Sequence, residues 1–302
     1  MIFPATAEQG HKEHAMTTPL RMPAAFIGHG SPMNALEVND FTRCWRELGR
    51  MMPRPRAVLA ISAHWFIQST ALTAMAQPRV THDFYGFPPE LFDVRYPAPG
   101  SPEIAQEIAD VVRPGDIGLD HDSWGLDHGT WSVLVHVFPA TDIPVLQLSI
   151  HAGAPLAYHM ELGARRAPLR ERGVFIIGSG NVVHNLRRVN WSYGNRGFDW
   201  GVRFDAHVRS IMTSDPAALA AVEKHPDYPL AVPTNEHFLP LAYLAGLCTA
   251  AGEAAQPFAA GCTLGSLSMT SYLLGMQPPV ARTSGDEAQL LPAGVPPEQT
   301  NI

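Results

Sequence analysis

Four histidines stand where an apolar run gives out. His29 follows Ala24-Ala25-Phe26-Ile27-Gly28, and His64 follows the run that ends Ile61-Ser62-Ala63. His184 comes after Val174-Phe175-Ile176-Ile177 and the turn Gly178-Ser179-Gly180-Asn181, and His237 after Pro233-Thr234-Asn235-Glu236. A fifth, His128, lies between Asp127 and Gly129. A neutral imidazole is the commonest metal ligand and the usual acid or base near neutral pH. Several gathered at one edge of a sheet would therefore make a metal centre with its own proton carrier. Any one of them alone reads as an ordinary polar residue at a strand end, as do His11, His14, His82, His121, His136, His151, His159, His207 and His225. Among these His151 stands nearest to a candidate, because it too follows an apolar run, Gln147-Leu148-Ser149-Ile150.

The elements that must carry these residues alternate. Short β-branched or apolar runs at 24–27, 58–62, 72–75, 145–150, 174–177 and 264–269 read as strands. Between them Ser101-Pro102-Glu103 opens an amphipathic helix through Val112, with Ser at the N-cap and Pro in the first turn. Residues 130–138, 155–172, 198–212 and 237–251 read as further helices, His184 and His237 each standing at a helix start. This pattern predicts a single-domain α/β sandwich with a central, largely parallel or mixed sheet flanked by helices. In open sheets of that kind ligands bind outside the carboxyl ends of the strands, which is where His29 and His64 fall.

With 302 residues, 46% of them hydrophobic, the chain can bury a large core, and no Pro/Gly/Ser-rich linker divides its middle. A net charge of −7 without a dense Lys/Arg stripe makes nucleic acid an unsuitable partner. Cys44, Cys248 and Cys262 are odd in number and lack Cys-x-x-Cys spacing, which argues against a disulfide framework or thiolate zinc knot and fits a reducing cytoplasm. The apolar stretch 241–251 is too short to cross a bilayer, and residues 1–15 hold no apolar signal core, so a soluble, cytoplasmic protein is expected. Residues 1–21 read as a disordered extension, with Met16 a second candidate start; 22–276 read as the catalytic domain and 277–302 as a disordered tail.

Competing motifs fail. The Gly178-Ser179-Gly180 turn lacks the third glycine of a dinucleotide loop, where Val183 stands, and neither a Gly-x-Ser-x-Gly elbow nor a His-Glu-x-x-His helix is present. The motifs HGSPMNALE, SAHW, DFYGFPPELFDVRYPAPG, GLDHGTW, QLSI, GSGNVVHNL and NEHFLPL, in this order over residues 22–274, resemble the class III extradiol ring-cleavage dioxygenases, specifically their 4,5-DOPA dioxygenase branch.

The resemblance implies a non-haem metal at the sheet edge, Fe(II) for dioxygenase activity, with Zn(II) able to occupy the same site. It implies His29 and His64 as ligands, His237 or its neighbour Glu236 as the third, and His184 as a further ligand or the acid/base. His128 would be a pocket histidine that hydrogen-bonds oxygen or substrate. Consecutive residues at a helix start point about 100° apart, so Glu236 and His237 are not expected on one ion together, and His237 is preferred. The substrate expected is a catechol, DOPA-like, opened with dioxygen to a semialdehyde. The aromatic loop Asp83-Phe84-Tyr85-Gly86-Phe87-Pro88 suits a ring, with Tyr85 the candidate substrate contact, Phe84 and Phe87 reading equally well as core, and Arg95 nearby for a substrate carboxylate. Two alternatives stay open: a zinc-dependent hydrolase and a metal-binding relative without catalysis. Oligomeric state is not legible.

Overall fold

The computed structural model describes residues 21–112, 117–280, 295–296 and 299–301. Among the described residues ten strands form: β1 (Ala24–Gly28), β2 (Ala57–Ile67), β3 (Ala71–Thr73), β4 (Gly118–Asp120), β5 (Val145–His151), β6 (Val174–Gly180), β7 (Gln256–Phe258), β8 (Cys262–Thr263), β9 (Leu267–Ser268) and β10 (Ser271–Leu274). Eight of them make one sheet in the order β4-β3-β5-β2-β6-β1-β10-β7, while β8 and β9 pair separately. The centre, β5-β2-β6-β1, is parallel, and β10 and β7 join antiparallel at one edge. The sheet is thus mixed about a parallel core, as the alternation implied.

Both faces are buried, which is why the central strands are continuous apolar runs rather than alternating ones. Ala24 and Phe26 of β1 point into one core, with Leu59, Ile61 and Ile176, beneath the helices Pro102–Val112, Leu156–Ala164, Asp199–Ser214 and Leu239–Ala251. Ala25 and Ile27 point into the other, with Val58, Ala60 and Phe175, beneath Asp40–Met51 and His128–Val137.

Several sequence expectations are corrected. The stretch 264–269 is not a strand of the main sheet: Leu264 and Gly265 take left-handed φ values of 53° and 82°, turning β8 into β9, and the sheet strand is β10. The helix expected over 155–172 is two, Leu156–Ala164 and Ala167–Glu171, because Pro168 begins a new first turn. His184 opens no helix; it lies in a loop bridged to Leu267, before the short 3₁₀ turn Leu186–Arg188. His237 precedes its helix, which starts at Leu239. The helix Asp40–Met51, closed by an Asn39/Thr42 capping box, escaped the periodicity reading. The expected extension 1–21 lies outside the described residues except for Arg21, and only parts of 277–302 are described.

Candidate metal centre

The parallel register brings one edge to a point. Ile27 pairs with Ser179, Gly28 with Gly180, and Ser62 with Ser179, so the carboxyl ends of β1, β2 and β6 stop side by side. His29 leaves β1 there, its N–H donating to the Gly180 carbonyl at 3.0 Å. His64 rides on β2 within a register shift between Ile61 and Phe66. The glycines of Gly178-Ser179-Gly180 serve packing: a Cβ on Gly180 would lie 2.1 Å from the His237 carbonyl oxygen. Only glycine lets that segment press onto β6, where Asn181 N–H donates to the same carbonyl at 2.9 Å.

Five imidazoles therefore converge. His29 and His64 approach to 3.4 Å between their Nε2 atoms. The His237 ring centroid is 5.4 Å from that of His29 and 5.0 Å from that of His64. The His184 ring stacks on His237 at 3.5 Å with 7° between planes, and His128 lies 3.9 Å from His64. Among the described residues two separate, adjacent groups can hold a metal ion by proximity alone, His29/His64/His128 and His184/Glu236/His237.

Hydrogen bonds fix which nitrogens face inward. His29 Nδ1 pairs with the Ser179 hydroxyl at 2.9 Å, and that hydroxyl in turn donates to the Gly129 carbonyl. His237 Nδ1 reaches Glu236 Oε1 at 3.3 Å, and the same oxygen accepts from the Thr234 hydroxyl at 2.7 Å. His237 Nε2 is buried without a hydrogen-bond partner, which in a polar cluster marks an atom kept for something else. Burial first, then the charges of neighbouring histidines, holds His29, His64 and His237 well below the ordinary histidine range, so all three are neutral with lone pairs available. Beside the cluster lies a cavity of about 320 Å³, walled by His184, Asn185, Arg187, Glu236, His237 and Asn301 among others.

The family described as the catalytic LigB subunit of aromatic ring-opening dioxygenase matches residues 23–264. The chain belongs to that family. It is similar to the 4,5-DOPA dioxygenase extradiol of Escherichia coli K12, 45% identical over 266 residues, covering 84% of this chain and 95% of that protein. It is also similar to the 4,5-DOPA dioxygenase extradiol of Beta vulgaris, 36% identical, covering 76% and 86%. A crystal structure of an uncharacterized protein from Escherichia coli K12 superposes with a TM-score of 0.74 at 41% identity, covering 84% of this chain and 100% of that one. The chain is thus an extradiol aromatic ring-opening dioxygenase, of a family whose reaction depends on a non-haem metal. Among the described residues no helix is long and apolar enough to cross a membrane.

In this dioxygenase the sequence-predicted His29, His64, His128, His184 and His237 all meet, whereas Tyr85 is 66% exposed and Phe84, not Tyr85, sets its ring edge on His128 at 5.5 Å. Arg95 folds back onto the carbonyls of Phe92 and Val94. Sequence reasoning missed Asp83. Its Oδ1 accepts from the His128 backbone N–H and pairs with His128 Nδ1, both at 2.9 Å. Burial works against its charge, but His128 and then His64 hold its carboxyl well below the usual range. Asp127 was noted only as part of its motif. It caps the helix His128–Val137, accepts from the Gln147 amide, and is pushed up to about 6 by burial and by Asp83.

The buried neutral histidines make the metal-free protein acid-sensitive. Below about pH 6.5 an unfolded chain protonates these imidazoles while the folded one resists, so the unfolded state binds more protons and stability falls with pH. In chelator, Tm should drop between about pH 7.5 and pH 5.5, and His29→Asn should flatten that slope. A Tm that holds or rises over this interval would contradict the burial account.

Proposed function

We propose that this dioxygenase opens a catechol carrying a carboxylate side chain, of the DOPA type, beside rather than between its hydroxyls, yielding a semialdehyde. The reading rests on one observation above the rest: three buried, neutral imidazoles at one sheet edge, with His29 and His64 Nε2 3.4 Å apart and His237 Nε2 unpartnered beside them. With Nδ1 of His29 on Ser179 and Nδ1 of His237 on Glu236, the lone pairs fall on Nε2, the outer-partner arrangement usual for metal-bound histidine. His29, His64 and His237 are the proposed ligands. His237 is preferred to His128 because its ring lies 5.4 Å from that of His29, against 6.1 Å for His128, which sits 3.9 Å from His64 on the side where it can face substrate or dioxygen. Glu236, tied to Thr234 and to His237 Nδ1, supports its neighbour instead of replacing it.

Fe(II) is the proposed working metal, and zinc competes for a three-histidine set by the Irving–Williams order. When bound, such an ion supplies adjacent open positions for both catechol oxygens and for dioxygen. The protein's part is proton traffic and enclosure. His184, stacked on His237 and walling the cavity, takes the catechol hydroxyl proton and later returns it. His128, its Nδ1 held by Asp83, turns a buried Nε2 toward substrate or dioxygen. Phe84 closes the apolar side.

Among the described residues of the cavity wall Arg187 is the cation, on a chain of net charge −7 that would otherwise repel an anionic substrate. It is the proposed partner of the substrate carboxylate. With iron loaded anaerobically, oxygen uptake should be seen with DOPA, and Arg187→Met should raise KM for DOPA roughly tenfold, the scale of one charge-assisted hydrogen bond, while sparing dopamine. Equal effects on both catechols would remove Arg187 from that role, and no uptake with any catechol would overturn the function.

A further inference from the structure

The last described residues return to the metal centre. Thr300 is completely buried, and its carbonyl accepts the Tyr85 backbone N–H at 3.3 Å. Asn301 follows at φ 59°, a left-handed conformation that Asn tolerates better than most residues. Its Nδ2 donates to the Asp83 carbonyl and lies 3.4 Å from Asp83 Oδ2. Asn301 walls the same cavity as His184 and His237. The aligned portion of the Escherichia coli structure accounts for all of that chain but 84% of this one, and the family match ends at residue 264.

His64 is the cluster member that needs this contact. A metal-bound imidazole presents Nε2 reliably only when its Nδ1–H is held by an outer partner. His29 has Ser179 and His237 has Glu236, but Asp83 Oδ2 stands 3.6 Å from His64 Nδ1, beyond hydrogen-bond reach. The Asn301 amide donates to Asp83, and the Asp83 carboxylate is the acidic group facing His64 Nδ1 as well as His128 Nδ1, so fixing Asp83 fixes what stands behind His64.

We propose that Asn301 is a positioning residue of the metal centre: its amide N–H groups hold Asp83, whose carboxylate faces the Nδ1 atoms of both His128 and His64 and so keeps the His64 Nε2 lone pair turned toward His29. The C-terminal segment thereby completes the site from outside the family's common core. This rests on the metal reading of the histidine cluster. Losing an outer partner typically weakens metal binding about 10- to 100-fold.

The test uses the full chain and Co(II), titrated against a chromophoric chelator, with the visible cobalt spectrum reporting ligand geometry. Asn301→Ala should weaken Co(II) binding about tenfold or more and shift the spectrum, and Asn301→Gln, which keeps the carboxamide, should recover part of both. Thr300→Asp, which places a charge in a fully buried slot and expels the segment, should match Asn301→Ala. If the parent binds Co(II) and both disrupting variants bind it equally well, the inference fails while the metal reading stands. Tighter binding in the variants would make the segment an obstruction and overturn it as well. A parent that binds no Co(II) overturns both.

Discussion

His237→Ala should leave a folded protein that no longer retains a divalent ion. The residue stands before its helix, beside the end of β6, where its carbonyl receives the Asn181 N–H at 2.9 Å whatever the side chain. Its ring contributes the unpartnered Nε2. Truncation therefore removes a donor while keeping the backbone contact, and the same logic applies to His29→Ala, since His29 N–H is bound to Gly180. Elemental analysis after dialysis should fall from one ion per chain to a small fraction, with near-native circular dichroism. Full metal content in His237→Ala, with loss in His128→Ala instead, would transfer the third ligand position to His128.

His184→Ala should separate metal binding from turnover. Its ring lies flat against His237 at 3.5 Å, the geometry of a neighbour rather than of a second donor aimed at the same ion. Retained metal and retained catechol binding are expected, with kcat reduced about 10²- to 10⁴-fold, the usual worth of a general acid/base. The pH profile of the residual rate should lose one limb. Loss of metal alongside activity would make His184 a fourth ligand.

The fold was legible because the central strands are buried on both faces and so stand out as continuous apolar runs, with helical periods between them. What stayed hidden had local causes. The positive φ at Leu264 and Gly265 breaks an apolar run that otherwise reads as one strand. His29, His64, His128, His184 and His237 were visible as a set, but their division of labour was not, because Glu236 and His237 are adjacent and only the Thr234 contact shows which one turns inward. Asp83 escaped notice because its aromatic neighbours suggested a substrate wall, and its partner His128 lies 45 residues away. Asn301 lies in a stretch whose composition suggests disorder, and only the fold shows two of its residues seated against Tyr85 and Asp83.

The central claim is that a histidine-held metal drives extradiol opening of a catechol by dioxygen. An oxygen electrode run beside product analysis tests it most directly, on iron-loaded and zinc-loaded protein with DOPA as substrate. The account predicts that the iron form consumes one dioxygen per ring opened, releases no hydrogen peroxide and accumulates a yellow semialdehyde, while the zinc form consumes none. Hydrolysis of an ester or amide panel by the zinc form, with no oxygen uptake by the iron form on DOPA or any other catechol, would contradict it.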